Sequence, residues 1–219
     1  MANLNESRST IIEMCTPIEP STDEPGTLAA YGGKRILVTG AGGSIGCELA
    51  LQISKLGPAK LLLLDKDENG LNDTYLRLEA GFRSKATPVV GDLRLAERLR
   101  SILETFRPEV VFHAAAHKHV HLMEANSCEA ITNNVTGTRD LIERCLAIGV
   151  VRFVQVSTDT AVNPSSIMGA SKRVCEMIVQ AQSSAQSTLF CCVRFGNCWV
   201  AGAVVPYLRN RSGVAAQLR

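Results

Sequence analysis

The sequence predicts an α/β fold: a doubly wound, Rossmann-like parallel sheet with helices on both faces. Three observations carry this. From Lys34 onward, short apolar runs alternate with stretches of helical spacing. The runs are continuous in their apolarity rather than alternating, as in strands buried on both faces. The first run leads through a glycine-rich turn directly into a helix pattern, the entry to a dinucleotide fold. Strand alternating with helix implies right-handed crossovers in one sheet.

Each element follows in order. "RILVT" is a β-branched strand, and "SIGCELALQISKLG" has helical spacing closed by glycine. "KLLLLD" reads as a strand followed by a helix over "DENGLNDTYLRLEA", and "TPVVGD" as a strand followed by a helix over "LAERLRSILETF". "EVVFHAAA" is a fourth strand, and "CEAITNNVTGTRDLIERCLAIG" predicts one long helix. "VRFVQVST", the helix "GASKRVCEMIVQAQ" and the strand "TLFCCVRFG" complete the pattern. Residues 1–31, rich in Ser, Thr, Pro and Glu, read as a flexible leader ending at a Gly pair, and 32–208 as the dinucleotide-binding domain.

Composition narrows the partners. With 23 basic and 21 acidic side chains the net charge is +2, so a nucleic-acid partner is not indicated. No apolar run approaches the roughly 20 residues that span a bilayer, and the N-terminus has no signal-peptide pattern; a cytoplasmic protein is expected. The eight cysteines are scattered without a C-x-x-C pair, several in apolar segments, which reads as reduced, buried thiols.

"TGAGGSIG" places glycines at 40, 43 and 46, between strand and helix. A turn without Cβ atoms lets backbone N–H groups approach a pyrophosphate, and the helix start adds its positive end. Gly40, Gly43, Ser44, Ile45 and Gly46 are therefore expected cofactor contacts. Asp65, closing the second strand, is placed to bond the adenosine ribose hydroxyls, which favours NAD over NADP because a carboxylate repels a 2′-phosphate. Lys66 beside it is a cation of the opposite tendency. Asp92 and Leu93 follow the third strand, where Asp92 meets the adenine or serves as a helix N-cap. All four histidines lie in "HAAAHKHVH". Without an acidic or Cys partner at matching spacing they read poorly as a metal site. His113 and Ala114, Ala115 and Ala116 are expected to line the cofactor, with the later histidines in a loop near substrate.

Together, "VTGAGGSIG", "HAAAHKHVHLMEANSCEAITNNVTGTRDLIE", "STDTAVNPSSIMGASKRVCE" and "VRFGN" resemble the extended short-chain dehydrogenase/reductase superfamily. Within it they most resemble the polysaccharide-biosynthesis (CapD-like) nucleotide-sugar 4,6-dehydratases and epimerases, over about Lys34 to Pro206. The resemblance implies an NAD(P)-dependent conversion of UDP-N-acetylglucosamine or a related UDP-sugar to a 4-keto-6-deoxy sugar. In that scheme hydride leaves C4, the C5 proton is removed, the C6 hydroxyl departs and hydride returns at C6. The resemblance assigns Asp159 as the acid for the leaving hydroxyl and Thr158 as a hydroxyl beside C4. Lys172 would hold the nicotinamide ribose, and Met168 occupies the place where most of the superfamily has tyrosine. His117, Lys118 and Asn197 are the expected substrate contacts. Homo-oligomers pairing helices 128–148 and 168–182 are implied as well.

Two departures stand out. The family reads Ser-Thr-Asp-Lys-Ala, with the lysine as C5 base; here Thr160 stands instead, and a threonine hydroxyl is far too weak a base at neutral pH. After "RFGN" comes "CWVAGAVVP", shorter than the family's loop and without its Ser-Arg pair. Asn163 and Arg173 each read equally as site residues or as a turn former before Pro164 and an exposed helical charge. The C-terminal substrate domain of such enzymes is expected to be missing, with 209–219 a truncated tail. A catalytically impaired NAD-binding module working with a partner is the alternative reading.

Overall fold

The structure, a computed structural model, describes residues 30–182 and 188–196. Nearly all of the expected leader, the tail at 209–219 and Asn197 lie outside the described residues.

Six strands form one parallel sheet: β1 (Arg35–Thr39), β2 (Lys60–Asp65), β3 (Ala86–Val90), β4 (Val110–His113), β5 (Arg152–Thr158) and β6 (Leu189–Phe195). Their spatial order is β3-β2-β1-β4-β5-β6. The chain steps outward from β1 to β3, crosses back, and steps outward again from β4 to β6. The order therefore reverses between β1 and β4, and a crevice opens there at the carboxyl ends of the strands.

Side chains alternate across each strand and so feed two cores. Ile36, Val38, Leu61, Leu63 and Val110 pack with Ala50 and Ile53 of α1 (Ser44–Lys55) and Leu71 of α2 (Glu68–Arg77). On the other face Leu37, Leu62, Leu64, Val111 and Phe153 meet three helices. These are α4 (Ala96–Phe106), α7 (Gly137–Ala147) and α8 (Ile167–Gln182), through Leu103, Leu141 and Val179. The short α3 (Ala80–Arg83) precedes β3. The expected doubly wound sheet with helices on both faces is present.

Two elements differ from expectation. The single long helix predicted after β4 is broken: α6 (Ser127–Glu129) runs into a π-helical stretch, Ala130–Thr136, before α7. Thr132 Oγ1 donates to the carbonyl of Cys128 at 2.9 Å, and Cys175 Sγ to that of Asn134 at 3.1 Å. Side chains thus take up helix carbonyls, and the wider turn accommodates them. Where a loop was expected around the later histidines, α5 (Val120–Ala125) forms, anchored by Met123 against Ala130 and Met168.

His113 ends β4 opposite Thr39 of β1. Its ring is 1% exposed, with Nδ1 2.6 Å from Thr39 Oγ1 and Nε2 2.9 Å from Thr138 Oγ1. It does not line the crevice, contrary to expectation; it ties β1, β4 and α7 together beneath it. Burial first, and the Lys172 charge second, hold its pKa down to about 3. The unfolded chain therefore binds a proton that the native state refuses, so this contribution to stability is complete above pH 6.5 and lost as pH falls towards 3. Between pH 7.5 and 5.0 the wild type is expected to lose about 2 kcal/mol more than His113→Gln in denaturant unfolding. Equal losses would show that the ring is not held neutral.

Candidate functional site

The crevice begins with the β1–α1 turn. Gly40 has φ +69°, and a Cβ there would lie 2.5 Å from Ala115 N. Gly46 is the third residue of α1, where a Cβ would meet Gly40 O at 2.0 Å. The two positions allow turn, helix and β4 segment to approach as backbone against backbone. Helix α1 opens at Gly43 without a side-chain cap among the described residues, so its first N–H groups remain available to an anion.

A cleft of about 220 Å³ lies over this turn, lined by Gly40, Gly43, Asp65, Asp92, Leu93, Ala114 and Ala115, among others. The expected cofactor residues from four strand ends thus converge, with Ser44 and Ile45 in the adjoining first turn of α1 and Gly46 packed beneath. Asp65 does more than face the cleft. Its Oδ2 accepts from Gly42 N at 2.8 Å and its Oδ1 from Asp67 N at 2.9 Å. Asp92 is not the helix N-cap, because α4 starts later, after Leu95. Its carboxylate accepts from Arg94 N at 3.0 Å and from the Arg94 guanidinium at 2.6–3.0 Å, and that guanidinium holds its pKa down.

His117, an expected substrate contact, lies on this cleft. Its backbone is clamped by Asn134: His117 N donates to Asn134 Oδ1 at 2.8 Å and Asn134 Nδ2 to His117 O at 3.1 Å. Burial, then the Lys66 charge, lowers its pKa, which favours the neutral ring. Lys118 is exposed beside it, and His121 sits on α5 rather than in a loop.

The second group gathers at the end of β5. Thr158 Oγ1 donates to Asp159 Oδ1 at 3.0 Å and lies 3.2 Å from Thr160 Oγ1. Lys172 of α8 is 7% exposed, and its Nζ donates to Val156 O at 3.0 Å; desolvation lowers its pKa. Met168 does not join them. Its side chain is buried with Met123 and Ala130, a packing role between α5, the π-turn and α8.

Sequence reasoning missed Asn133, Asn134 and Glu176 as parts of these sites, and saw Lys66 only as a cation beside Asp65. Glu176, 1% exposed, accepts from Ser157 Oγ at 2.7 Å, from Arg194 Nε and Nη2 at 2.8 and 2.7 Å and from Arg173 Nη1 at 3.0 Å. These donors, Arg194 foremost, hold its carboxyl down to about 2. The carboxylate fastens the end of β5 to α8 and β6 beside Thr158. Arg173 is accounted for by this contact. The spacing of Glu176 one turn after Lys172 was the available signal.

A parallel sheet with a glycine turn, an acidic β2 end and a Thr-Asp/Lys group defines a Rossmann-type dinucleotide-fold protein. The family described as "Polysaccharide biosynthesis protein" matches residues 36–215, and the chain belongs to that family. It is 46% identical over 182 residues to the capsular polysaccharide biosynthesis protein CapD of Staphylococcus aureus, covering 81% of this chain and 30% of that protein. It is 31% identical over 186 residues to the inverting UDP-N-acetylglucosamine 4,6-dehydratase of Campylobacter jejuni, covering 82% and 54%. The solved Pen structure of Bacillus thuringiensis superposes with a TM-score of 0.74 at 28% identity, over 84% of this chain and 58% of that one. DesIV of Streptomyces venezuelae, a dTDP-glucose 4,6-dehydratase solved with NAD and TYD, shares the fold at TM-score 0.67 and 22% identity, over 82% and 62%. The chain thus spans from about a third to about half the length of these curated relatives. Among the described residues no helix is long and apolar enough to cross a membrane.

Proposed function

We propose that residues 32–208 form the NAD-binding part of a nucleotide-sugar 4,6-dehydratase or epimerase of polysaccharide biosynthesis, with UDP-N-acetylglucosamine or a related UDP-sugar as substrate. The observation that carries this reading is the crevice between β1 and β4, a glycine-built cradle with an acidic residue at the β2 end. Thr158, Asp159 and Lys172 gather at the end of the neighbouring β5. The cradle fits a dinucleotide because a Cβ at Gly40 or Gly46 would collide with backbone. Among the described residues Asp65, Asp67 and Asp92 line the cleft against one lysine, Lys66, which supports NAD over a 2′-phosphorylated form. When bound, the nicotinamide supplies a hydride acceptor for C4 of the sugar.

The chain's own groups divide the remaining work. Lys172 holds its ammonium at the β5 end, where a positive charge favours loss of a hydroxyl proton nearby. Thr158 offers a hydroxyl in contact with Asp159, the group suited to protonating a leaving hydroxyl. Ile131, Val174 and Met177, exposed along the π-turn and α8, support self-association through these elements.

One observation favours the second reading, a non-catalytic NAD-binding module. Position 160 carries a hydroxyl engaged with Thr158, which cannot abstract a carbon-bound proton.

Thermal melts with NAD, NADP and UDP-N-acetylglucosamine test the proposal. NAD at 100 times its dissociation constant adds about 2.7 kcal/mol and should raise the midpoint clearly. A melt indifferent to both dinucleotides would sink the reading. NAD binding without conversion of UDP-N-acetylglucosamine, followed by product from Thr160→Lys, would identify an impaired enzyme. No product from either would leave the binding module as the function.

A further inference from the structure

Three side-chain contacts cross the crevice from wall to wall. One wall consists of the segments after β2 and β3, the other of the segment after β4 and the π-turn. Lys66 Nζ lies 3.4 Å from His117 Nε2 and donates to Asn133 Oδ1 at 3.3 Å. Arg94 Nη1 donates to Glu129 Oε2 at 3.0 Å, and the same Glu129 oxygen lies 3.7 Å from His117 Nε2. Asp92, Arg94 and Glu129 form one run of polar contacts and Asn133, Lys66 and His117 a second, and the two runs adjoin where Glu129 lies beside His117, making a chain of polar side chains across the cleft.

The anchoring of this chain is uneven. The His117 backbone is fixed at both N–H and carbonyl by buried Asn134, and Arg94 is held through Asp92. The bridging ends are solvent-facing: the side chains of Arg94 and Glu129 are 36% and 51% exposed. Exposed ion pairs of this kind are individually weak and break readily. The walls stay in place while the bridges can part.

We propose that Lys66, Arg94, His117, Glu129 and Asn133 act as a clasp that must open whenever the adenosine half of a dinucleotide enters or leaves the cleft. The proposal rests on the dinucleotide reading given above. Asp65 and Asp92, the residues suited to ribose and adenine, lie in the cleft that the chain of contacts crosses. A reaction that returns its hydride to the same sugar uses no net cofactor, so slow exchange would not limit turnover. The clasp is thus a kinetic device and leaves equilibrium affinity nearly untouched.

Stopped-flow NADH fluorescence on the full chain tests this, with wild type, Glu129→Ala, Lys66→Met and the double variant. Glu129 does not line the cleft and is half exposed, so its removal tests the bridge without removing a wall. Association and dissociation rate constants for Glu129→Ala should both rise about fivefold, as expected when one rim ion pair is lost, with the dissociation constant within about twofold. The double variant should be faster than either single one. Unchanged rates would overturn the clasp, as would faster dissociation alone with affinity weakened in proportion, which would make Glu129 a ligand contact. Wild type that binds no NADH would instead defeat the dinucleotide reading, and the clasp with it.

Discussion

Gly46→Ala is expected to abolish dinucleotide binding and to destabilise the chain by about 3 kcal/mol, the upper range for forced overpacking. The added Cβ would lie 2.0 Å from Gly40 O, 2.7 Å from Gly40 C and 3.0 Å from Ala41 Cα, all backbone. Gly40 cannot retreat. Its N–H donates to Leu64 O at 2.9 Å, and the Ala114–Ala115 backbone stands on its other side. Relief requires α1 to move off the turn, which takes the first helical N–H groups away from where a pyrophosphate would sit. Gly57→Ala is the control. Gly57 has φ +65° but open space around it, so that variant pays only local backbone strain of about 1 kcal/mol. Urea unfolding and NADH titration of both variants check the pair. Retained binding in Gly46→Ala would mean that the turn is softer than its contacts indicate.

Glu176→Ala should cost about 2 to 3 kcal/mol, less than a fully buried ion pair because Arg173 and Arg194 can turn to solvent. What cannot be replaced is the carboxylate itself, 1% exposed and accepting from Ser157 and both arginines. The variant also predicts a change in acid response. With the native pKa held to about 2 against an ordinary 4.5, the stabilisation is complete above pH 4.5 and drains away as pH falls towards 2. Unfolding of wild type should therefore steepen below pH 4.5, and Glu176→Ala should lack that part of the slope. Parallel profiles would assign the acid response to other carboxylates.

The fold was legible because its signals are local and repeated. Continuous apolar runs such as Leu61–Leu64 can only be buried on both faces, and each but the last was followed by a helix pattern. The glycine turn and Asp65 were legible for the same reason: a sharp strand–turn–helix passage needs those residue types. The π-turn was not, since one extra residue per turn leaves the apolar period of 128–149 almost intact. His113 was misassigned to the cleft because strand-end position says nothing about the direction of a ring, which Thr39 and Thr138 settle from elements 74 and 25 residues away. The Glu176 network was missed because its partners, Ser157 and Arg194, are brought close only by the pairing of β5 with β6.

Asp65 has a further consequence for how this protein could change over generations. Its carboxylate accepts from Gly42 N and Asp67 N, so the residue suited to reading the ribose also shapes the loop in which that ribose would lie. A mutation that sought to welcome a 2′-phosphate by neutralising this position would strip at least one of these two backbone amides of its acceptor. Cofactor preference and loop architecture are therefore inherited together, and an engineer or a lineage wishing to alter one must supply a replacement acceptor for the other first.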